Sequence, residues 1–151
     1  MNSPDHDRGG RTGLAAPPMP RWWVFDVDGC LIDSLRGTSL RPGARALLEH
    51  LNAGPAHVLL WSAGGEVYAR ERARQFALAD LVHGFFAKDG RDDHGCYLTG
   101  HLPLRAAQAV FIDDRPEDLS SRLDVLAVPP YLSDDPYDRG LAEAARRAGL
   151  A

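Results

Sequence analysis

The apolar stretch Trp22-Trp23-Val24-Phe25 runs into Asp26, and Asp28 follows two residues later against Gly29. On an extended chain alternate side chains share a face, so both carboxylates would point to one side of a strand. Glycine tolerates the sharp exit that gathers them in one place. Two carboxylates that close need a cation or a shared proton. A bare acidic strand end in an open sheet is the competing reading.

The pattern recurs. Ala109-Val110-Phe111-Ile112 ends in Asp113-Asp114, and His57-Val58-Leu59-Leu60-Trp61 ends in Ser62 before Ala63-Gly64-Gly65. In an open parallel α/β sheet the carboxyl ends of neighbouring strands line a single crevice, where ligands bind. Asp26, Asp28, Asp113 and Asp114 would then face one cleft, and an oxygen-only donor set suits magnesium, which uses few carboxylates and keeps its waters. The small residues at Ala63-Gly64-Gly65 leave room for backbone N–H groups to approach an anion, although a serine before a helix is also a common cap.

Of 17 basic residues, 16 are arginine; Lys88 is the chain's one lysine. It follows the apolar run Leu81–Ala87. An ammonium is a compact charge on a flexible stem, fitted to sit between carboxylates and a phosphate where a planar guanidinium is not.

Taken in order, Asp26-Val27-Asp28-Gly29, Ser62, Lys88 and Asp113-Asp114 with Asp118 resemble the four motifs of the haloacid dehalogenase superfamily of phosphotransferases, over roughly residues 22–130. The resemblance implies that Asp26 is the nucleophile and Asp28 the general acid and base. It implies that Ser62, Ala63 and Lys88 bind the phosphoryl group. The magnesium site would be formed by Asp26, the carbonyl of Asp28, Asp114 as direct ligand and Asp113 as direct or water-mediated ligand. Asp118 would be an outer-shell partner. Cys30 stands where the family most often has threonine, and Lys88 lacks the proline that often follows the family's lysine.

The rest of the chain alternates strands with helices. Pro42-Gly43 opens the helical pattern Ala44, Leu47, Leu48, Leu51, closed by Gly54-Pro55. Glu66–Ala79 reads as a second helix with Arg70, Arg72 and Arg74 largely outward, Pro116–Arg122 as a short helix, Leu123–Val128 as a fifth strand. Asp138–Ala148 reads as a terminal helix burying Leu141, Ala145 and Ala148. Right-handed crossovers then give an α/β, three-layer Rossmann-like fold with a five-stranded parallel sheet, of order 3-2-1-4-5 by the resemblance. About ten residues lie between Gly29 and the helix near Arg41, and Ser62 to Lys88 holds one helix and one strand, which leaves no room for the family's inserted cap domains. By analogy with the family, an uncapped site favours macromolecular or bulky phosphorylated substrates, or capping by a neighbouring subunit. Cys30–Leu40 with Arg36, and Asp89–Pro103 with Arg91, His94, Tyr97 and His101, remain to shape the pocket. His94, Cys96 and His101 lack the tight repeated spacing of structural zinc.

At 44% hydrophobic and 25% charged residues the 151-residue chain has the means to bury one core, so residues 21–151 read as one catalytic domain. Residues 1–20, rich in Gly, Pro, Asp and Arg, read as a disordered tail. No run is long enough for a membrane helix, and two cysteines make no disulfide framework, which points to a cytoplasmic protein. The expected function is magnesium-dependent phosphomonoester hydrolysis through an aspartyl phosphate. A polynucleotide 3′-end phosphatase, suggested by Asp113-Asp114-Arg115, competes with it, but a net charge of −4 without a basic stripe disfavours nucleic acid. The same residues are compatible with a protein phosphatase, and the fold with a non-catalytic binding module.

Overall fold

The computed structural model describes residues 22–104 and 108–150. The expected tail, residues 1–20, lies outside them. Five strands form one parallel sheet: β1 (Trp22–Phe25), β2 (His57–Ser62), β3 (Gly84–Ala87), β4 (Ala109–Asp113) and β5 (Val125–Ala127), in the order β3-β2-β1-β4-β5. Phe25 pairs with Leu60 on one side and Ile112 on the other. That register sets Asp26 beside the ends of β2 and β4, and Ser62 pairs with Ala87, one residue before Lys88.

Strand alternation divides the core. Trp23, Phe25, Val58, Leu60 and Ile112 face one side, where α1 (Ala44–Ala53), α2 (Glu66–Gln75) and α3 (Gly140–Arg147) pack with Ala44, Leu48, Ala69, Ala73, Leu141 and Ala144. Val24, Leu59, Trp61 and Phe111 face the other, covered by Leu102 and Leu119 from loops. Among the described residues this second layer contains no α-helix.

Several boundaries differ from the sequence expectation. The second helix stops at Gln75 rather than Ala79. Ala77 takes the left-handed conformation (φ 55°), its N–H donates to the Arg74 carbonyl, and that of buried Leu78 donates to the Ala73 carbonyl. These are the two bonds of a Schellman motif, without its usual glycine. A 3-10 turn, Ala79–Leu81, follows, so β3 begins at Gly84 rather than Leu81. The expected helix Pro116–Arg122 is only a 3-10 turn, Pro116–Asp118, because the backbone is diverted into a bridge: Tyr97 N–H donates to the Asp118 carbonyl and Ser120 N–H to the Tyr97 carbonyl. β5 is shorter than Leu123–Val128. In α3 the buried positions are Leu141, Ala144 and Ala145, while Ala148, expected in that stripe, is the exposed C-cap. No helix among the described residues is long and apolar enough to cross a membrane.

Two local devices hold the chain that leaves β1. Arg41, fully buried, donates to the Asp138 carboxylate at 2.7 Å and to the carbonyls of Gly29 and Cys30 at 3.4 and 3.3 Å. Asp33, 1% exposed, accepts the N–H groups of Arg36, Gly37, Thr38 and Ser39. Burial opposes its ionisation, but these bonds outweigh it and hold the carboxyl pKa at about 2.

Candidate active site

A cavity of about 570 Å³ opens at the carboxyl edge of the sheet, lined by Asp26, Asp28, Ser62, Lys88, Asp113 and Asp114 among others. The topology explains the convergence, because β1, β2 and β4 are central neighbours and each delivers its terminal side chain to the same edge.

Lys88 is the hub. Its ammonium donates to Asp26 Oδ1 and to Asp113 Oδ2, both at 2.9 Å, and is almost buried with them: 6%, 13% and 3% of these side chains are exposed. Desolvation alone would depress the Lys88 pKa, but the two carboxylates override it and raise the pKa above the usual value. The ammonium also lies 5.2 Å from the Trp61 ring centroid and 5.5 Å from that of Tyr97. Asp113 spends its second oxygen on the Arg115 N–H at 2.8 Å.

Carboxylate oxygens of Asp26, Asp113 and Asp114 lie within 4.8 Å of one another. Burial, more than anything else, raises the Asp26 pKa well above the carboxylate range; Lys88 pulls it back, and Asp113 with Asp114 pushes it up again. Burial likewise raises Asp114, whose carboxyl is within hydrogen-bonding reach of Asp26. Ionised together, the three carboxylates would exceed the one ammonium by two negative charges, which is why burial holds protons on Asp26 and Asp114. Asp114 Oδ1 is buried without a hydrogen-bond partner among the described residues, a costly state for a carboxylate oxygen. Gly29 (φ 77°) opens the space this carboxylate occupies, since a Cβ there would collide with it. An oxygen-only pocket with an unpartnered buried oxygen and more carboxylates than cations fits a hard divalent cation such as magnesium.

Asp28 lines the cavity but stands outside that trio; its Oδ1 accepts the Tyr68 hydroxyl at 2.6 Å. Ser62 is buried, and its hydroxyl accepts the Gly64 N–H at 3.0 Å; it does not cap α2, whose N-cap is Gly65. Ala63 lies on the cavity wall. Asp118 sits at the rim and pairs with Arg115 at 3.1 Å rather than reaching the acidic trio. Cys30 is fully buried, with Sγ 3.6 Å from the Ile112 carbonyl. Burial first and the three aspartates second push its thiol pKa up, so it is a neutral packing group beside the site.

Of the two segments expected to shape the pocket, Asp89–Pro103 contributes Tyr97, with Arg91 stacked 4.4 Å from its ring. Cys30–Leu40 contributes Ser34, whereas Arg36 lies beside a separate depression with Asp33 and Leu35. His94, Cys96 and His101 do not converge: His101 pairs with Asp89, and Cys96 Sγ faces the Glu117 carbonyl. Arg70 and Arg72 also lie over aromatic rings, 5.2 Å from the Phe85 centroid and 4.9 Å from the Tyr68 centroid. Sequence reasoning missed Tyr68 and Trp61, for which no spacing signal marks a role.

No family model matches the sequence, and no curated protein is similar to it. Solved structures are. An uncharacterized protein from Listeria monocytogenes serotype 4b superposes with a TM-score of 0.60 at 12% identity, over 85% of this chain and 97% of that one. A haloacid dehalogenase-like family hydrolase from Streptococcus pneumoniae gives 0.58 at 14% identity, over 83% and 90%. The chain therefore has the haloacid dehalogenase-like fold, which leaves its chemistry to be argued from the site.

Proposed function

We propose that the protein is a magnesium-dependent phosphomonoester hydrolase that works through an aspartyl phosphate on Asp26. The observation that carries this reading is the pairing of Lys88 with Asp26 and Asp113 at the sheet edge, next to the unpartnered oxygen of Asp114. The reading makes Asp26 the nucleophile, Lys88 the neutralising ammonium and the acidic trio the divalent-cation pocket, and their proximity supports it.

In this reading an Asp26 oxygen attacks phosphorus and the ester oxygen leaves with a proton from Asp28. Asp28 then takes a proton from water as that water attacks the phosphoryl group, and Asp26 is released as carboxylate. Lys88 and the backbone around Ser62 and Ala63 hold the phosphoryl oxygens and offset their charge. Asp26, the carbonyl of Asp28, Asp113 and Asp114 would hold magnesium, which when bound neutralises charge on the nucleophile and the phosphoryl group together. The pocket is open, and Tyr97, Pro130 and Leu132 also line it. A bulky phosphorylated substrate is accommodated without a cap. Glu117 and Asp118 at the rim do not favour a polyanion such as nucleic acid.

The test is hydrolysis of an aryl phosphate with and without magnesium, comparing wild type with Asp26→Asn. Magnesium-dependent turnover that falls at least about 100-fold in Asp26→Asn is expected. Turnover insensitive to either change defeats the proposal.

A further inference from the structure

Tyr68 lies on α2, away from the strand ends, yet its hydroxyl makes the 2.6 Å contact with Asp28 Oδ1. We propose that Tyr68 is a positioning residue that fixes which oxygen of Asp28 carries the proton during phosphoryl transfer, an inference that rests on the reading above. An O–H donor occupying Oδ1 leaves Oδ2 as the oxygen free to bear the transferred proton. The donor direction follows from the pair itself, because an ionised carboxylate only accepts and a phenol carries its proton at neutral pH.

The ring is held from two sides. A Cβ on Gly64 would stand 2.7 Å from Tyr68 Cδ1, so the absence of a side chain at Gly64 is what lets the ring lie against the loop after β2. That gives Gly64 a second reason besides anion approach. On the other side the Arg72 guanidinium lies 4.9 Å from the ring centroid, with its Nη1 2.6 Å from Gln75 Oε1. Gln75 in turn donates to the Gly37 carbonyl at 3.1 Å, on the loop leaving β1. The phenol is thus clamped between α2 and the chain that carries Asp28, a geometry suited to holding one rotamer of a carboxyl group.

Proton delivery matters most when the leaving group is a poor one. An alkoxide needs the proton of Asp28 as the bond to phosphorus breaks, whereas a nitrophenolate departs without it. The experiment compares kcat/KM of wild type and Tyr68→Phe, at saturating magnesium, on glycerol 2-phosphate and on p-nitrophenyl phosphate. Tyr68→Phe is expected to lose roughly 10-fold or more on the alkyl ester and less than about 2-fold on the aryl ester, with an unchanged melting temperature. Equal losses on both esters, or none, overturn the inference while leaving the parent reading intact. A wild type inert toward both esters overturns the two together.

Discussion

The ammonium of Lys88 meets the carboxylate of Asp26 at 2.9 Å across 62 residues of sequence. The same ammonium reaches Asp113 at the same distance, so one buried cation ties together the ends of β1 and β4 from its place just beyond β3. Removing it strands two nearly buried carboxylates.

Lys88→Ala is therefore expected to lower metal-free stability by about 3–5 kcal/mol, the usual cost of leaving a buried charge uncompensated. Lys88→Arg is expected to do nearly as badly in turnover, since the planar fork cannot meet both carboxylates where a point charge does. Urea unfolding and aryl phosphatase assays of both variants measure this. Near wild-type turnover for Lys88→Arg would move the phosphate-neutralising role to another cation, first Arg115.

Magnesium is expected to raise the melting temperature of the wild-type chain by relieving repulsion among Asp26, Asp113 and Asp114. Ligand linkage gives about 2.7 kcal/mol when the free ion stands at 100 times its dissociation constant. Asp114→Ala removes the unpartnered oxygen and is expected to abolish the response. Differential scanning fluorimetry across a magnesium series decides it, and identical responses of the two proteins would dismiss Asp114 as a ligand.

Gly29→Ala tests the shape of the same pocket. The new Cβ collides with the Asp114 carboxylate and the backbone is held at φ 77°, a conformation L side chains rarely adopt. A destabilisation of at least about 1–2 kcal/mol is expected from the backbone alone, with a weakened magnesium response besides. A fully stable variant with the wild-type response would show that the glycine is incidental.

Asp33 predicts an acid limb of stability. Its folded pKa of about 2 lies below the ordinary carboxylate value near 3.9, so its contribution is complete above pH 4. That contribution is lost as pH falls from about 4 toward 2, where the folded state must also take up the proton. Asp33→Asn is expected to be less stable than wild type at pH 7, because its amide presents hydrogens to N–H donors. The gap is expected to narrow below pH 4. Urea titrations at pH 7, 4 and 3 check it, and a gap independent of pH would mean that the carboxylate charge is unimportant.

Much of the fold is legible in the sequence because it is local or periodic. The short continuous apolar runs in Trp22–Phe25, His57–Ser62 and Ala109–Asp113 specify buried strands, and the abrupt polar residue that follows or ends each specifies where the reactive edge lies. Ala44, Leu47, Leu48 and Leu51 mark α1 by spacing alone, and the buried face of the helix uses those residues. The isolation of Lys88 among arginines singles it out without any distance. What spacing does not encode is which partner a side chain or a backbone group takes across the fold. The Pro116–Arg122 segment has a helix-compatible composition, but bonds to Tyr97 on a distant loop compete for its backbone and win. The second helix ends early because Ala77 accepts a left-handed turn that buries Leu78, a tertiary gain no propensity records. Tyr68 reads as one more aromatic on an amphipathic helix, and only packing against Gly64 and Arg72 brings its hydroxyl to Asp28. Chemistry-bearing residue types and their order are properties of the chain itself; which of their atoms are paired, buried or left open is decided by contacts between segments that sequence separation hides.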